Sequence, residues 1–251
     1  MERPYPRSQQ PMFILEAEGI TRKFGGLIAL RSVNFSIHEG EILGLIGPNG
    51  AGKTTLFNVI AGVFPSDGGT IRFRGEEITG LKPFQLCSKG IVRTFQIVKP
   101  FLNLSVLDNL MVGALSKERD LRVALRESVE MLEFVGLAPK KDLLAASLTL
   151  EDLKRLEVAR ALATKPKLLL LDEVAAGLNP KEMEETLALI RKVHAEGITI
   201  FIVEHVMKAI MSISDRVMVL HHGEKIAEGT PREVAQDRAV IEAYLGERYT
   251  F

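Results

Sequence analysis

The hydrophobic residues of the N-terminal part first alternate with polar ones and then become continuous. Phe13–Ala17 and Ser32–Ile37 show the alternation, which predicts two half-buried strands joined by a chain reversal at Gly25 and Gly26. Glu41–Ile46 is apolar after its first residue, and such a run indicates a fully buried strand. The sequence therefore predicts an antiparallel β edge followed by the first strand of a buried sheet.

The central part of the chain changes to helical spacing. After a helix over Leu56–Ala61 and a strand over Thr70–Arg74, apolar residues recur at helical intervals in Val106–Leu115 and Leu121–Val135. These two segments predict a helical subdomain, roughly residues 97–165, inserted into the main domain of residues 13–251. Residues 1–12 are polar and contain prolines, and we expect them to form a flexible tail.

Strands and helices then alternate through the C-terminal half. The predicted order is helix Glu151–Ala163, strand Lys167–Leu171, helix Lys181–Glu196, strand Ile198–Val203, helix Val206–Ser212 and strand Arg216–Leu220. Alternation of this kind is typical of a mainly parallel sheet with helices on both faces. The predicted fold class is therefore α/β.

Composition excludes several classes of protein. The 32 basic and 32 acidic residues give zero formal charge, so no global field favours nucleic acid as a partner. Cys87 is the single cysteine, which excludes an intrachain disulfide framework. No stretch approaches the roughly 18 consecutive apolar residues of a membrane span, and the polar N-terminus predicts neither a signal peptide nor an anchor.

One glycine-rich loop carries a specific chemical pattern between a buried strand and a helix. It consists of Gly47, Pro48, Asn49, Gly50, Ala51, Gly52, Lys53, Thr54 and Thr55, and contains the G-x-x-x-x-G-K-T motif. Its backbone amides and the helix N-terminus favour an anion, and Lys53 adds a positive charge for the β and γ phosphates. The Thr54 hydroxyl is a candidate Mg²⁺ ligand. The sequence thus predicts a nucleotide phosphate site.

Two carboxylates end the later strand of four leucines. Asp172 and Glu173 follow Leu168–Leu171, and acidic residues often occur at such strand ends without any chemical role. Ligands of open α/β sheets, however, collect at the carboxyl ends of strands. Alongside a phosphate loop, Asp172 becomes a candidate second-sphere Mg²⁺ partner, and Glu173 becomes the candidate carboxylate that orients or deprotonates the attacking water.

These motifs resemble the ATP-binding subunits of ABC transporters over residues 13 to 251. The resemblance implies ATP and Mg²⁺ as cofactors, ATP hydrolysis, adenine stacking on Phe24, and a catalytic or metal contact by Gln96. It further implies that the loop Gly177–Asn179 crosses to another monomer and that His205 contacts the γ-phosphate. Taken alone, a residue such as Phe24 is more often a core residue, and a histidine after a strand, such as His205, is usually structural.

Within this family, the segments GIVRTFQ, AGLNP, ISDRVMVLHHGEKIAEGTP and VIEAYLGE look most like the ATPases of branched-chain amino-acid importers. The resemblance implies transmembrane permease subunits and a second ABC ATPase as partners, and a peripheral position on the cytoplasmic face of the inner (plasma) membrane. Urea, short amides and other small polar solutes stay open as cargo, because solute selection lies outside this chain.

The family's signature, usually Leu-Ser-Gly-Gly-Gln, must align with Leu148–Asp152, where both glycines and the glutamine are replaced. Thr149 keeps a hydroxyl and is a candidate nucleotide contact, although Thr149-x-x-Asp152 is also a helix capping pattern. Glu151 and Asp152 either point into solvent or bring negative charge toward a phosphate. In the second case we expect a heterodimer in which this chain's own phosphate loop serves the better hydrolytic site.

Two other functions remain as alternatives. A non-transport ABC ATPase acting on DNA or ribosomes should show coiled-coil arms, tandem domains or a basic run, and none is present. A regulatory subunit with weak hydrolysis would fit the altered signature, but the retention of Lys53, Glu173 and His205 argues against it.

Overall fold

A computed structural model describes residues 13–94 and 98–246, so the predicted tail over residues 1–12 lies outside the described residues. The strands are β1 (Phe13–Phe24), β2 (Leu27–His38), β3 (Ile42–Ile46), β4 (Gly68–Phe73), β5 (Glu76–Glu77), β6 (Ile91–Arg93), β7 (Leu168–Asp172), β8 (Thr199–Val203), β9 (Arg216–His221) and β10 (Glu224–Gly229). The helices are α1 (Lys53–Ile60), α2 (Pro83–Lys89), α3 (Val106–Ala114), α4 (Leu121–Val135), α5 (Leu150–Ala163), α6 (Pro180–Ala195), α7 (Met207–Ile213), α8 (Pro231–Gln236) and α9 (Arg238–Gly246). None of these helices is long and apolar enough to cross a membrane.

The main sheet has the strand order β10-β9-β3-β8-β7-β6. Strands β9, β3, β8, β7 and β6 run parallel, and β10 pairs antiparallel with β9. Every residue of β3, β7 and β8 is buried, because helices or the second sheet cover both faces, and this explains their continuous apolar sequences. The α/β prediction is confirmed.

The antiparallel part is more extensive than the sequence predicts. Strands β1, β2, β4 and β5 form a separate four-stranded sheet in the order β2-β1-β4-β5. Phe24 pairs with Leu27 across the turn at Gly25 and Gly26, so the predicted chain reversal is confirmed. The predicted β edge is thus a sheet of its own, whose apolar side packs on the core that holds Phe57 and Phe201.

Alternate residues of β8 enter two different cores. Phe201 and Val203 belong to the cluster shared with α1 and the antiparallel sheet, where Phe201 lies 4.7 Å from Phe57 between ring centroids. Ile200 and Ile202 belong to the cluster formed with α6 and α7. Successive side chains of a strand point to opposite faces, so one apolar strand joins both layers of the molecule.

Helices α3, α4 and α5 pack against one another around a third cluster. Its members are Val106, Leu110, Leu132, Val135, Leu137, Ala145, Leu156 and Ala159. Short 3₁₀ turns at Ala138–Lys140 and Ala145–Ser147 connect α4 to α5. The two helices predicted in this region are present, while the subdomain limits of 97 and 165 stay a prediction.

Candidate active site

The loop between β3 and α1 is shaped by glycines that leave no space for a side chain. Gly47 has φ 152°, and a Cβ there would lie 2.2 Å from the carbonyl oxygen of Leu220. Gly52 has φ 104°, and its Cβ would lie 2.7 Å from the carbonyl oxygen of Ala29. The backbone therefore packs against β2 and β9 on one side, and the loop is held in a tight turn.

Lys53 begins α1 and folds over this turn. Its side chain is buried, and Nζ donates hydrogen bonds to the carbonyl oxygens of Gly47 and Pro48 at 2.6 and 2.8 Å. The N-terminus of α1 has no side-chain cap and no acidic residue in its first turn. A positive charge and uncapped amides at one helix end are the arrangement that favours a phosphate.

A cavity of about 550 Å³ opens in front of the loop. It is lined by Phe24, Leu27, Ile28, Ala29, Arg31, Asn49, Gly50, Ala51, Gly52, Lys53, Thr54, Thr55, Glu173, His205 and His222. The structure thus brings together the loop, the aromatic residue, the carboxylate and the histidine singled out in the sequence. Of the predicted binding residues in the loop, Gly47 and Pro48 do not line the cavity, and their carbonyl oxygens accept hydrogen bonds from Lys53.

Phe24 lies at the rim of this cavity and not in the core. Its side chain is 40% exposed, which leaves a ring surface accessible to a planar ligand. The Arg22 guanidinium carbon lies 4.7 Å from the ring centroid, and Phe64 meets the ring edge-on at 5.4 Å. These contacts fix the orientation of the ring, and the position fits the predicted stacking role.

Glu173 and His205 also line this cavity and contact each other. Oε1 of Glu173 lies 2.5 Å from Nε2 of His205, although the two residues follow different strands, β7 and β8. The Glu173 side chain is buried, whereas that of His205 is about half exposed. A carboxylate held beside an imidazole and facing the phosphate loop can orient a water molecule.

Asp172 lies one residue earlier and is almost fully buried. Its Oδ2 accepts a hydrogen bond from Arg93 at 2.5 Å, and Arg93 also donates to Asn58 on α1. Oδ1 of Asp172 is buried and has no hydrogen-bond partner among the described residues. An available carboxylate oxygen and the Thr54 hydroxyl are donors that Mg²⁺ prefers, so these residues fit the predicted metal. Gln96, the third predicted ligand, lies outside the described residues.

The altered signature segment is folded back on itself. The Thr149 hydroxyl accepts from the backbone amide of Asp152 and donates to the Asp152 carboxylate at 2.9 Å. That carboxylate also accepts from Lys140, while Glu151 pairs with Arg155. The capping pattern is therefore formed, and neither acid is left as a free negative charge. The contact of Thr149 with nucleotide stays a prediction. In this structure its hydroxyl makes both of its hydrogen bonds to Asp152, within the helix cap.

Three charged residues beside the site were not singled out in the sequence. Arg93 contacts Asp172, Lys154 donates to the carbonyl oxygen of Glu173, and Glu204 directly precedes His205. Burial raises the pKa of Glu204 above its ordinary value. The acidic residue after an apolar strand was a usable signal for Glu204, whereas nothing in the local sequence marks Lys154.

Two protein-family models and a curated relative match this chain. A family model described as "ABC transporter" matches residues 30–176, and one described as "Branched-chain amino acid ATP-binding cassette transporter" matches residues 224–250. The high-affinity branched-chain amino acid transport ATP-binding protein BraF of Pseudomonas aeruginosa is 43% identical, over 93% of this chain and 98% of its own length.

Solved structures agree with the sequence matches. The ADP conformation of an ATP-binding cassette from an ABC transporter superposes with a TM-score of 0.85 at 34% identity, covering 94% of this chain and 99% of that one. A dimeric cassette in a post-hydrolysis state, bound to ADP and Pi, gives a TM-score of 0.78 at 25% identity and covers 87% and 99% of the two chains.

Proposed function

Because the chain belongs to the ABC transporter family, we propose that it is the ATP-hydrolysing subunit of an importer for branched-chain amino acids. The resemblance stated from the sequence motifs is confirmed by the family match and by the relatives. The choice of branched-chain amino acids is supported by the second family model and by the name of the relative from Pseudomonas aeruginosa.

The observation that carries the proposal is the meeting of Glu173, His205 and the Lys53 loop around one cavity. ATP would lie with its phosphates on residues 47–55 and its adenine on Phe24. Glu173 would orient and deprotonate the attacking water, and His205 would hold the carboxylate in place and approach the γ-phosphate. Phosphoryl transfer depends mainly on such positioning and on charge neutralisation.

The metal would be held by the Thr54 hydroxyl and Gln96. Oδ1 of Asp172, which has no hydrogen-bond partner in the described part of the chain, would act from its second coordination sphere. When bound, Mg²⁺ supplies neutralisation of the charge that develops on the phosphate oxygens. Arg93 fixes the other oxygen of Asp172, so that the carboxylate presents one defined oxygen. In this arrangement the protein's task is to hold the Asp172 carboxylate in one orientation.

The test is Mg-ATPase activity of the chain with its permease and partner ATPase. Glu173→Gln should abolish hydrolysis, by 100-fold or more as is common for loss of a general base, while nucleotide binding measured with a fluorescent ATP analogue persists. Lys208→Met, at an exposed lysine of α7, is the matched control and should keep wild-type activity. Full activity in Glu173→Gln would show that the catalytic base lies elsewhere.

We further propose that the chain works peripherally at the cytoplasmic face of the inner membrane, bound to transmembrane permease subunits, and that its partner is a second, different ABC ATPase. The replacement of both glycines and the glutamine at Leu148–Asp152 supports the heterodimer. Charge repulsion adds little support, because Lys140 and Arg155 neutralise Asp152 and Glu151.

Light scattering of the Glu173→Gln chain with ATP tests the heterodimer. We expect a monomer for the chain alone and a dimer after addition of the second ATPase. An ATP-dependent dimer that forms equally well from this chain alone, and wild-type hydrolysis at two equivalent sites, would contradict this part of the proposal.

A further inference from the structure

A buried lysine from a distant helix holds the segment that carries Glu173. Lys154 lies in α5 and is only 7% exposed. Its Nζ donates to the carbonyl oxygens of Glu173 at 3.3 Å, of Val174 at 2.9 Å, and of Ala176. An ammonium group has three donors, so this one residue uses its whole donor capacity on a single turn of the main chain.

Glu204 holds the same turn from another direction. It is only 2% exposed, and its Oε1 accepts a hydrogen bond of 2.7 Å from the backbone amide of Ala175. Burial lowers the pKa of Lys154, while the carboxylates of Glu204, Glu157 and Glu173 favour its charged form. Together, Lys154 and Glu204 contact the main chain of every residue from 173 to 176.

This segment needs support, since Glu173 has φ 51°. A side-chain-bearing residue in the left-handed region is strained and persists only where the surroundings impose that conformation. One imposed contact is the hydrogen bond of the Glu173 amide to the carbonyl oxygen of Val203 at 2.9 Å. The other is the hydrogen bond that Lys154 donates to the carbonyl oxygen of Glu173. The strained backbone turns the Glu173 side chain toward His205.

We propose that Lys154 is a positioning residue for Glu173, an inference that rests on the proposed function of Glu173 in hydrolysis. Lys154 fixes the carbonyl oxygens behind the carboxylate and so maintains the Glu173–His205 contact. Thr149 caps the same helix five residues earlier. The altered signature segment and the carboxylate of one chain are therefore joined through α5, and displacement of that helix displaces the Glu173 turn.

The test compares Lys154→Met, Lys154→Arg and the exposed control Lys208→Met in the full chain assembled with its permease and partner ATPase. Lys154→Met should lower kcat at least about tenfold, because small displacements of a reacting group are costly, with KM for ATP changed less than about threefold. Lys154→Arg should recover most of kcat, since a guanidinium can also donate to several carbonyl oxygens. Lys208→Met should behave like the wild type.

A double mutant separates positioning from loss of structure. In the Glu173→Gln background, adding Lys154→Met should reduce the residual kcat less than twofold, because residues that act as a unit are not additive. A further tenfold loss there, a fall confined to ATP affinity, or full activity of Lys154→Met would overturn the inference while leaving Glu173 as the base. Wild-type activity in Glu173→Gln alone would overturn the proposed function as well.

If Lys154→Met does not fold, kcat and ATP affinity are measured in Lys154→Arg and Glu204→Gln instead. Glu204→Gln retains an oxygen acceptor for the Ala175 amide but removes the charge that faces Lys154. We expect a lower kcat, by about threefold or more, at unchanged ATP affinity. Unchanged kcat in Glu204→Gln would contradict the positioning role.

Discussion

Gly47 shows how one missing side chain determines the shape of the nucleotide loop. Its φ of 152° and the 2.2 Å approach of its Cβ position to the Leu220 carbonyl oxygen combine backbone strain with a direct clash. Gly50 in the same loop also has a positive φ, of 75°, but a Cβ there would meet nothing within 4 Å. The two glycines therefore form a matched pair.

We predict that Gly47→Ala destabilises the fold by at least about 3 kcal/mol, from strain and overpacking together, and abolishes ATP binding. Gly50→Ala should lower the free energy of unfolding by only about 1–2 kcal/mol, because alanine is strained in the left-handed conformation but meets no clash. Urea unfolding monitored by circular dichroism checks both values. Equal costs at the two positions would show that contact with β9 does not shape the loop.

The charge at Asp152 gives a second prediction at the scale of single residues. Burial alone would raise its pKa, but hydrogen bonds from Lys140 and Thr149 and the charge of Lys140 outweigh it, so the pKa lies below the ordinary value of 3.8. Stability contributed by this carboxylate is present above about pH 4 and is lost as the pH falls through the lowered folded-state pKa.

Asp152→Asn should therefore lower the free energy of unfolding at pH 7, by about 1 kcal/mol or less, since Lys140 is partly exposed. The difference from wild type should shrink in urea titrations at progressively lower pH below 4. Lys140→Met serves as the control and should show the same deficit at pH 7. A deficit independent of pH would mean that packing, and not charge, is what Asp152 supplies.

At the scale of elements, the crossing of α3 and α5 depends on a glycine within a helix. A Cβ on Gly113 would lie 2.7 Å from the carbonyl oxygen of Arg160 and 3.2 Å from Cβ of Ala163. Alanine is ordinarily the better helix former by about 0.5–1 kcal/mol. Glycine at position 113 therefore permits the close approach of α3 and α5, at the expense of the higher helix propensity of alanine.

Gly113→Ala should push α3 away from α5 and cost about 1–3 kcal/mol from overpacking, so we expect net destabilisation despite the gain in propensity. Val112→Ala, at an exposed position of the same helix, should be neutral within about 0.5 kcal/mol. Thermal unfolding of both variants is the measurement. Stabilisation by Gly113→Ala would show that the helices can separate freely.

For the whole molecule, ligand binding and stability are linked through the loop around Lys53. A nucleotide that binds only the folded chain stabilises it by about 2.7 kcal/mol at a concentration 100 times its Kd. We expect this increase when Mg-ATP is added to the wild-type chain. Lys53→Met should lose it at the same nucleotide concentration, because this substitution removes the ammonium that we propose binds the phosphates. Calorimetry with and without Mg-ATP decides the point, and Lys208→Met should respond like the wild type.

The sequence by itself predicted most of the strands and helices, the glycine-rich loop motif and the carboxylates after β7, whereas it did not predict α2, β6, β10, α8 and α9. These features depend on local rules: apolar runs mark β3 and β7, and the spacing of Gly47, Gly52 and Lys53 is set within one loop. Because the loop follows a strand and opens a helix directly, its chemistry could be assigned without knowledge of the remainder of the chain.

Only the tertiary structure decided which distant residues meet. Glu173 and His205 come together because β7 and β8 are parallel neighbours whose carboxyl ends coincide. Lys154 reaches the Glu173 turn from a helix, and Arg93 reaches Asp172 from the edge strand β6. No periodicity encodes these contacts, since they depend on strand order and helix packing, and these are set by burial of both sheet faces across the whole chain.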